Sequence, residues 1–112
     1  MVKVQAIIRE ERLDAVVERL MLIGVRGLTV VPVKGAGRGK SYRAVFRGGS
    51  YNVAFVPKIL LEWYGPEDEA VAVMQAIARA GSTGSSGDGK IFVEPVEEAL
   101  RIRTGERGLE AT

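Results

Sequence analysis

At 112 residues the chain is long enough for one domain with a single hydrophobic core, not for two. A hydrophobic content of 46% with 27% charged residues is ordinary for a soluble globular chain. The absence of cysteine and histidine excludes disulfides, thiolate metal sites and conventional triad chemistry. No basic-then-apolar leader opens the chain and no apolar run reaches membrane-span length, which points to a cytoplasmic protein without direct membrane insertion.

Net charge is only +2, but its layout is uneven. No Asp or Glu stands between Glu18 and Glu62, whereas Arg19, Arg26, Lys34, Arg38, Lys40, Arg43, Arg47 and Lys58 all fall there. Such a stretch suits phosphate, carboxylate or an acidic partner surface; a solvated basic loop is the plainer alternative.

Taken in order, Val2, Val4, Ala6 and Ile8 alternate with Lys3 and Gln5 as in a half-buried strand, and Ile7 adds an apolar residue to the second face. Leu13, Val16, Val17, Leu20 and Met21 then recur at helical spacing, with Glu10, Glu11 and Asp14 at the dipole-favoured start and Gly24 as the stop. Leu28–Val33 reads as a second strand. Gly39-Lys40-Ser41 resembles the end of a phosphate-binding P-loop, but Lys34 stands where that motif needs glycine and no helix follows. The P-loop is rejected.

From Gly37 to Phe55 the chain is Gly-rich and basic, a connection long enough to be functional or disordered. Val53–Tyr64 predicts a long strand, with Pro57 placing it at an edge or beside a bulge. Pro66 and the acidic Glu67, Asp68 and Glu69 open a second helix buried through Ala70, Val73, Met74, Ile77 and Ala78 and ended by Gly81. Ile91–Val96 is a strand that Pro95 confines to an edge or terminates. A short helical turn at Glu97–Ala99, a short strand at Leu100–Arg103 with both arginines on one face, and a polar tail from Thr104 complete the chain.

The order β-α-β, β-α-β predicts an α+β, ferredoxin-like fold: an antiparallel sheet with both helices on one face. Apolar residues occupy both parities of the third strand, so the second face needs a cover, and an oligomer supplies one.

One stretch stands out: Thr83-Gly84-Ser85-Ser86-Gly87-Asp88-Gly89-Lys90, running directly into Ile91-Phe92-Val93. Glycines let backbone N–H groups converge on a ligand, Lys90 adds a cation, and Asp88 can accept hydrogen bonds from a sugar or base. A plain turn between helix and strand has the same composition.

That stretch resembles the C-terminal signature of the PII signal-transduction proteins, Gly-Asp-Gly-Lys-Ile-Phe-Val preceded by a hydroxyl residue. Arg101-Ile102-Arg103-Thr104-Gly105-Glu106, Gly27-Leu28-Thr29-Val30, Lys34-Gly35-Ala36-Gly37-Arg38, Arg47-Gly48, Tyr51, Phe55, Pro57-Lys58 and Glu62 extend the resemblance over essentially the whole chain. It implies a single domain over 1–112, with a mobile effector loop at 37–55, a nucleotide-binding loop at 82–90 and a C-terminal segment at 101–112. It further implies a cytoplasmic homotrimeric regulator that is not an enzyme. ATP and ADP (AMP is possible) would compete in clefts between subunits, Mg²⁺ would accompany ATP, and 2-oxoglutarate would alter the loop that engages a target protein of nitrogen or related metabolism.

By the same resemblance Gly35, Gly37, Arg38, Gly39, Gly87, Asp88, Gly89 and Lys90 hold nucleotide from one side. Thr29 and Tyr64 line the base pocket, and Arg101 and Arg103 reach the phosphates across the subunit boundary. Gly37 and Lys58 face the small anionic effector, and Tyr51 is the position of the modified tyrosine. Three departures stand against this pattern. Gly39 replaces a glutamine whose side-chain oxygen completes the Mg²⁺ shell, which puts the 2-oxoglutarate response in question. The context of Tyr51 is altered, and Trp63-Tyr64 replaces smaller aliphatics. A sensor of another anion such as bicarbonate, or a basic-loop nucleic-acid-binding module, are the alternatives; the low net charge and the placement of the aromatics weigh against nucleic acid.

Overall fold

A computed structural model describes residues 1–36, 42–46, 49–53 and 55–112; within 42–53 the description is of the backbone. Strand β1 (Val2–Arg9) leads through a 3₁₀ turn at Glu10–Arg12 into helix α1 (Leu13–Leu22). Strand β2 (Thr29–Ala36) follows, then β3 (Tyr42–Phe46), β4 (Gly49–Val53) and β5 (Phe55–Gly65). Helix α2 (Glu67–Gly81) and strand β6 (Gly89–Pro95) complete the regular elements apart from a 3₁₀ turn at Gly108–Ala111.

Four strands form an antiparallel sheet in the order β2-β5-β1-β6, as the ferredoxin-like reading requires. The alternation in β1 is obeyed without a slip: Val2, Val4, Ala6 and Ile8 are buried, and their neighbours face the other way. From β5, Ile59, Leu61 and Trp63 join them, roofed by Val16 and Leu20 of α1 and by Ala70, Val73, Ala76 and Ile77 of α2. Trp63 is 6% exposed, its indole folded over Gly65, where a Cβ would stand 2.3 Å from the ring.

Among the described residues no helix lies over the opposite face. Register places Thr29, Glu62, Gln5 and Phe92 in one row across it, then Val31, Leu60, Ile7 and Lys90 in the next. Val31, Tyr64 and Phe92 are exposed there, so the apolar second parity predicted for the sheet is present and, among the described residues, uncovered.

Several local expectations are corrected. β5 is an interior strand, not an edge; Pro57 is tolerated because pairing with β1 begins only at Lys58, leaving Pro57 paired with β2 alone. In α2 the buried small residue is Ala76 rather than Ala78, since the stripe runs through Ala70, Val73, Ile77 and Gly81 and Ala78 falls outside it. Met21 is likewise exposed, one position past the last core residue of α1. Residues 97–99 form no helical turn, and Leu100–Arg103 forms no strand: Leu100 makes one bridge to Arg107 and the chain then reverses. The reversal is held by the Arg101 N–H donating to the Glu106 carbonyl at 2.9 Å and the Gly105 N–H donating to that of Arg101 at 2.8 Å. The supposed polar tail is therefore a folded segment. The segment 37–55 contains an antiparallel hairpin, β3 with β4, which alternation alone did not reveal.

Candidate functional site

The Gly-rich stretch leaves α2 at Gly81 and enters β6 at Gly89, and it closes on its own aspartate. Asp88 accepts from the Thr83 N–H at 2.8 Å, the Gly84 N–H at 3.0 Å, the Thr83 hydroxyl and Arg9 Nε at 2.9 Å. The Thr83 hydroxyl, then the Arg9 guanidinium, then the backbone donors hold its carboxyl well below the usual carboxylate range. A carboxylate so fully engaged shapes the loop, so the reading of Asp88 as a free acceptor for sugar or base gives way to a structural one.

Two cations from the sheet grip the same turn. Arg9 and Lys58 are directly opposite each other in the β1–β5 register, on the open face. Arg9 Nη2 donates to the Ser86 carbonyl at 2.8 Å, and Lys58 Nζ donates to the Gly87 carbonyl. Gly35 lies against the same lysine, a Cβ there standing 3.1 Å from Lys58 Cγ. Gly35, Lys58, Gly87, Asp88, Gly89 and Lys90 thus belong to one neighbourhood. A cleft of about 280 Å³ opens beside it, where Ile7, Gly81, Asp88, Gly89 and Lys90 meet.

Thr29 and Tyr64 belong to a second neighbourhood. Thr29 is opposite Glu62, and the Tyr64 hydroxyl donates to Glu62 Oε2 at 2.6 Å. That bond lowers the Glu62 carboxyl and raises the Tyr64 phenol. Trp63 takes no part; adjacent residues of a strand point to opposite faces, and Trp63 is in the core. The pair Trp63-Tyr64 therefore alters the open face through Tyr64 alone. Lys58 and Tyr64 are six residues apart on β5, about 20 Å at the usual rise per residue.

The C-terminal segment leaves β6 at the Tyr64 end of the sheet, where the Val96 N–H donates to the Met1 carbonyl at 3.0 Å. Arg101 is already engaged, 2.7 Å from Glu106 Oε1 and 2.9 Å from the Glu110 carbonyl. Arg103 is exposed and forms no hydrogen bond or ion pair among the described residues. Gly37, Arg38 and Gly39 lie outside the described residues, as does the side chain of Tyr51.

Sequence reasoning missed Arg9 and the partner of Arg101, and it named Thr83 within the glycine stretch without its bond to Asp88. A cation ending the polar parity of β1, next to an open face, was the available signal for Arg9; nothing local announces a contact to residue 88.

The family model for nitrogen regulatory protein P-II matches residues 1–106. The nitrogen regulatory protein P-II of Rhizobium meliloti (strain 1021) is 49% identical over 111 residues, covering 99% of each chain. That of Cereibacter sphaeroides is 48% identical over the same length and coverage. Among solved structures, the Arabidopsis thaliana PII bound to citrate aligns with a TM-score of 0.81 at 39% identity, covering 99% of this chain and 91% of that one.

Proposed function

Because the chain belongs to the nitrogen regulatory protein P-II family, whose members are signalling regulators and not enzymes, we propose that it is a cytoplasmic sensor of adenine nucleotides. It passes occupancy of a nucleotide site to a target protein through the segment 37–55.

The observation that carries this reading is the separation of two half-sites on one open sheet face. Gly35 and Gly87–Lys90 lie at one end with Arg9 and Lys58, while Thr29, Glu62 and Tyr64 lie at the other. A single ligand cannot be enclosed by both halves of one chain. A second copy, packed by the uncovered face, would bring its Thr29–Tyr64 end and its arginines against the first copy's glycine loop. A closed ring of three subunits does this three times, and it also buries Val31, Tyr64 and Phe92.

Each part then has a chemical role. Backbone N–H groups around Gly87 and Gly89 with Lys90 take phosphate oxygens, and Arg103 adds a guanidinium from the neighbouring subunit. Thr29 and Tyr64 line the base. Mg²⁺ would accompany ATP, held by phosphate oxygens and waters as is usual for that ion. Lys58 and Arg9 favour a small carboxylate effector beside the loop; citrate in the Arabidopsis protein is one such anion.

Calorimetric titration with ATP, ADP and AMP, each with and without Mg²⁺, 2-oxoglutarate, bicarbonate and citrate, tests the reading. Saturable binding of ATP or ADP at one site per subunit is expected, with light scattering at the trimer mass. A stable monomer, or no heat with any adenine nucleotide, would overturn it.

A further inference from the structure

The fork of Arg9 brackets the turn that would receive phosphate. Its Nη2 holds the Ser86 carbonyl at 2.8 Å and its Nε holds Asp88 Oδ1 at 2.9 Å, while Lys58 holds the Gly87 carbonyl between them. Two successive carbonyls, those of Ser86 and Gly87, therefore turn toward the sheet cations. In a trans peptide the N–H points opposite to the carbonyl of the same unit. The N–H groups of Gly87 and Asp88 must then point away from Arg9 and Lys58. Neither of those N–H groups donates to another group among the described residues. Gly87, at φ +94°, supplies the left-handed residue that a backbone anion nest requires.

We propose that Arg9 is a positioning residue for the nucleotide loop: it aims the Gly87 and Asp88 N–H groups at the ligand phosphates without touching the ligand itself. The inference rests on the nucleotide reading above. Three facts favour positioning over direct contact. Both donor edges used by the fork are already committed to the loop. The remaining nitrogen, Nη1, is 3.8 Å from Glu11 Oε1. The side chain is only 23% exposed. Lysine cannot reproduce the grip, because one ammonium has no planar fork to span two acceptors two residues apart.

The test compares the full-length protein with Arg9→Met, Arg9→Lys and Asp88→Asn. Amide hydrogen exchange over 83–90 is read without ligand, and ATP and ADP affinities are read by calorimetry. Arg9→Met should speed exchange in the loop and weaken ATP and ADP by the same factor, about tenfold or more, as expected for charged hydrogen bonds. Arg9→Lys should fall between, and combining Arg9→Met with Asp88→Asn should cost less than the product of the two. A loss that grows with the number of ligand phosphates would show direct contact and overturn the proposal. Wild-type exchange or affinity in Arg9→Met would do the same. Should the unmodified protein bind no adenine nucleotide, the site reading fails by itself, and the exchange measurement still decides whether Arg9 holds the loop. Should Arg9→Met not fold, Arg9→Lys and Asp88→Asn carry the same comparison.

Discussion

Gly89 sits so close to the carbonyl oxygen of Ile7 that a Cβ at position 89 would stand 1.8 Å from it. The residue also holds φ at +113°, outside the range L side chains adopt readily. The glycine loop thus joins β6 at a point where two backbones touch. Gly89→Ala should pull the start of β6 from β1, at a stability cost of about 1–3 kcal/mol for a strained backbone position, and should abolish nucleotide binding. Thermal denaturation with parallel calorimetry checks it; wild-type affinity in a folded Gly89→Ala protein would show that the close approach is relaxed at little cost.

Trp63 is core, and Gly65 makes room for it. Trp63→Ala should lower stability by about 3–5 kcal/mol through lost burial and a residual cavity. Nucleotide affinity, measured where the variant remains folded, should change little, because the side chain faces the helices. Tyr64→Val should do the reverse: small effect on stability, altered affinity and preference among bases. Urea titration of both variants separates the two faces, and a base-specific defect in Trp63→Ala would contradict the assignment.

The two arginines of the C-terminal segment should not behave alike. Arg103 is free of partners among the described residues, so Arg103→Ala should cost only ligand affinity, on the order of 1.5–3 kcal/mol for a charged hydrogen bond. Arg101 must first leave Glu106 and the Glu110 carbonyl. Glu106→Gln should therefore strengthen nucleotide binding modestly by easing that exchange. Equal affinities of Glu106→Gln and wild type would mean that Arg101 keeps its internal partner in the bound state.

Position 39 concerns the effector. Magnesium demands near-octahedral oxygen coordination, and glycine offers no side-chain oxygen to its shell. We expect 2-oxoglutarate to bind weakly or not at all with Mg-ATP, leaving ATP against ADP or AMP as the main signal, and Gly39→Gln to restore part of the response. Tight magnesium-dependent 2-oxoglutarate binding by the unmodified protein would refute this.

The fold was readable because its signals are periodic. Val2, Val4, Ala6 and Ile8 alternate without interruption, and Val16 and Leu20 keep helical spacing, so burial follows from position alone. What resisted reading depends on partners distant in sequence or on turns with little pattern. Arg9 finds Asp88 across 79 residues. The reversal at 101–107 is set by the Glu106 carbonyl and carboxylate, whereas local composition suggested a strand followed by a tail. The glycine loop itself was legible as a motif; that its aspartate is turned inward was not.

Asp88 under its donors and Tyr64 against Glu62 share one further consequence. The first group is held ionised far into acid, the second is kept protonated further into alkali, and the chain contains no imidazole. None of these contacts changes charge across roughly pH 5 to 8, the interval in which histidine-based switches operate. Acidification of the medium would leave this part of the molecule silent. Any response of nucleotide binding to pH in that interval would then come from the last ionisation of the nucleotide's own phosphates, at about pH 6 for a phosphate monoester, rather than from these contacts.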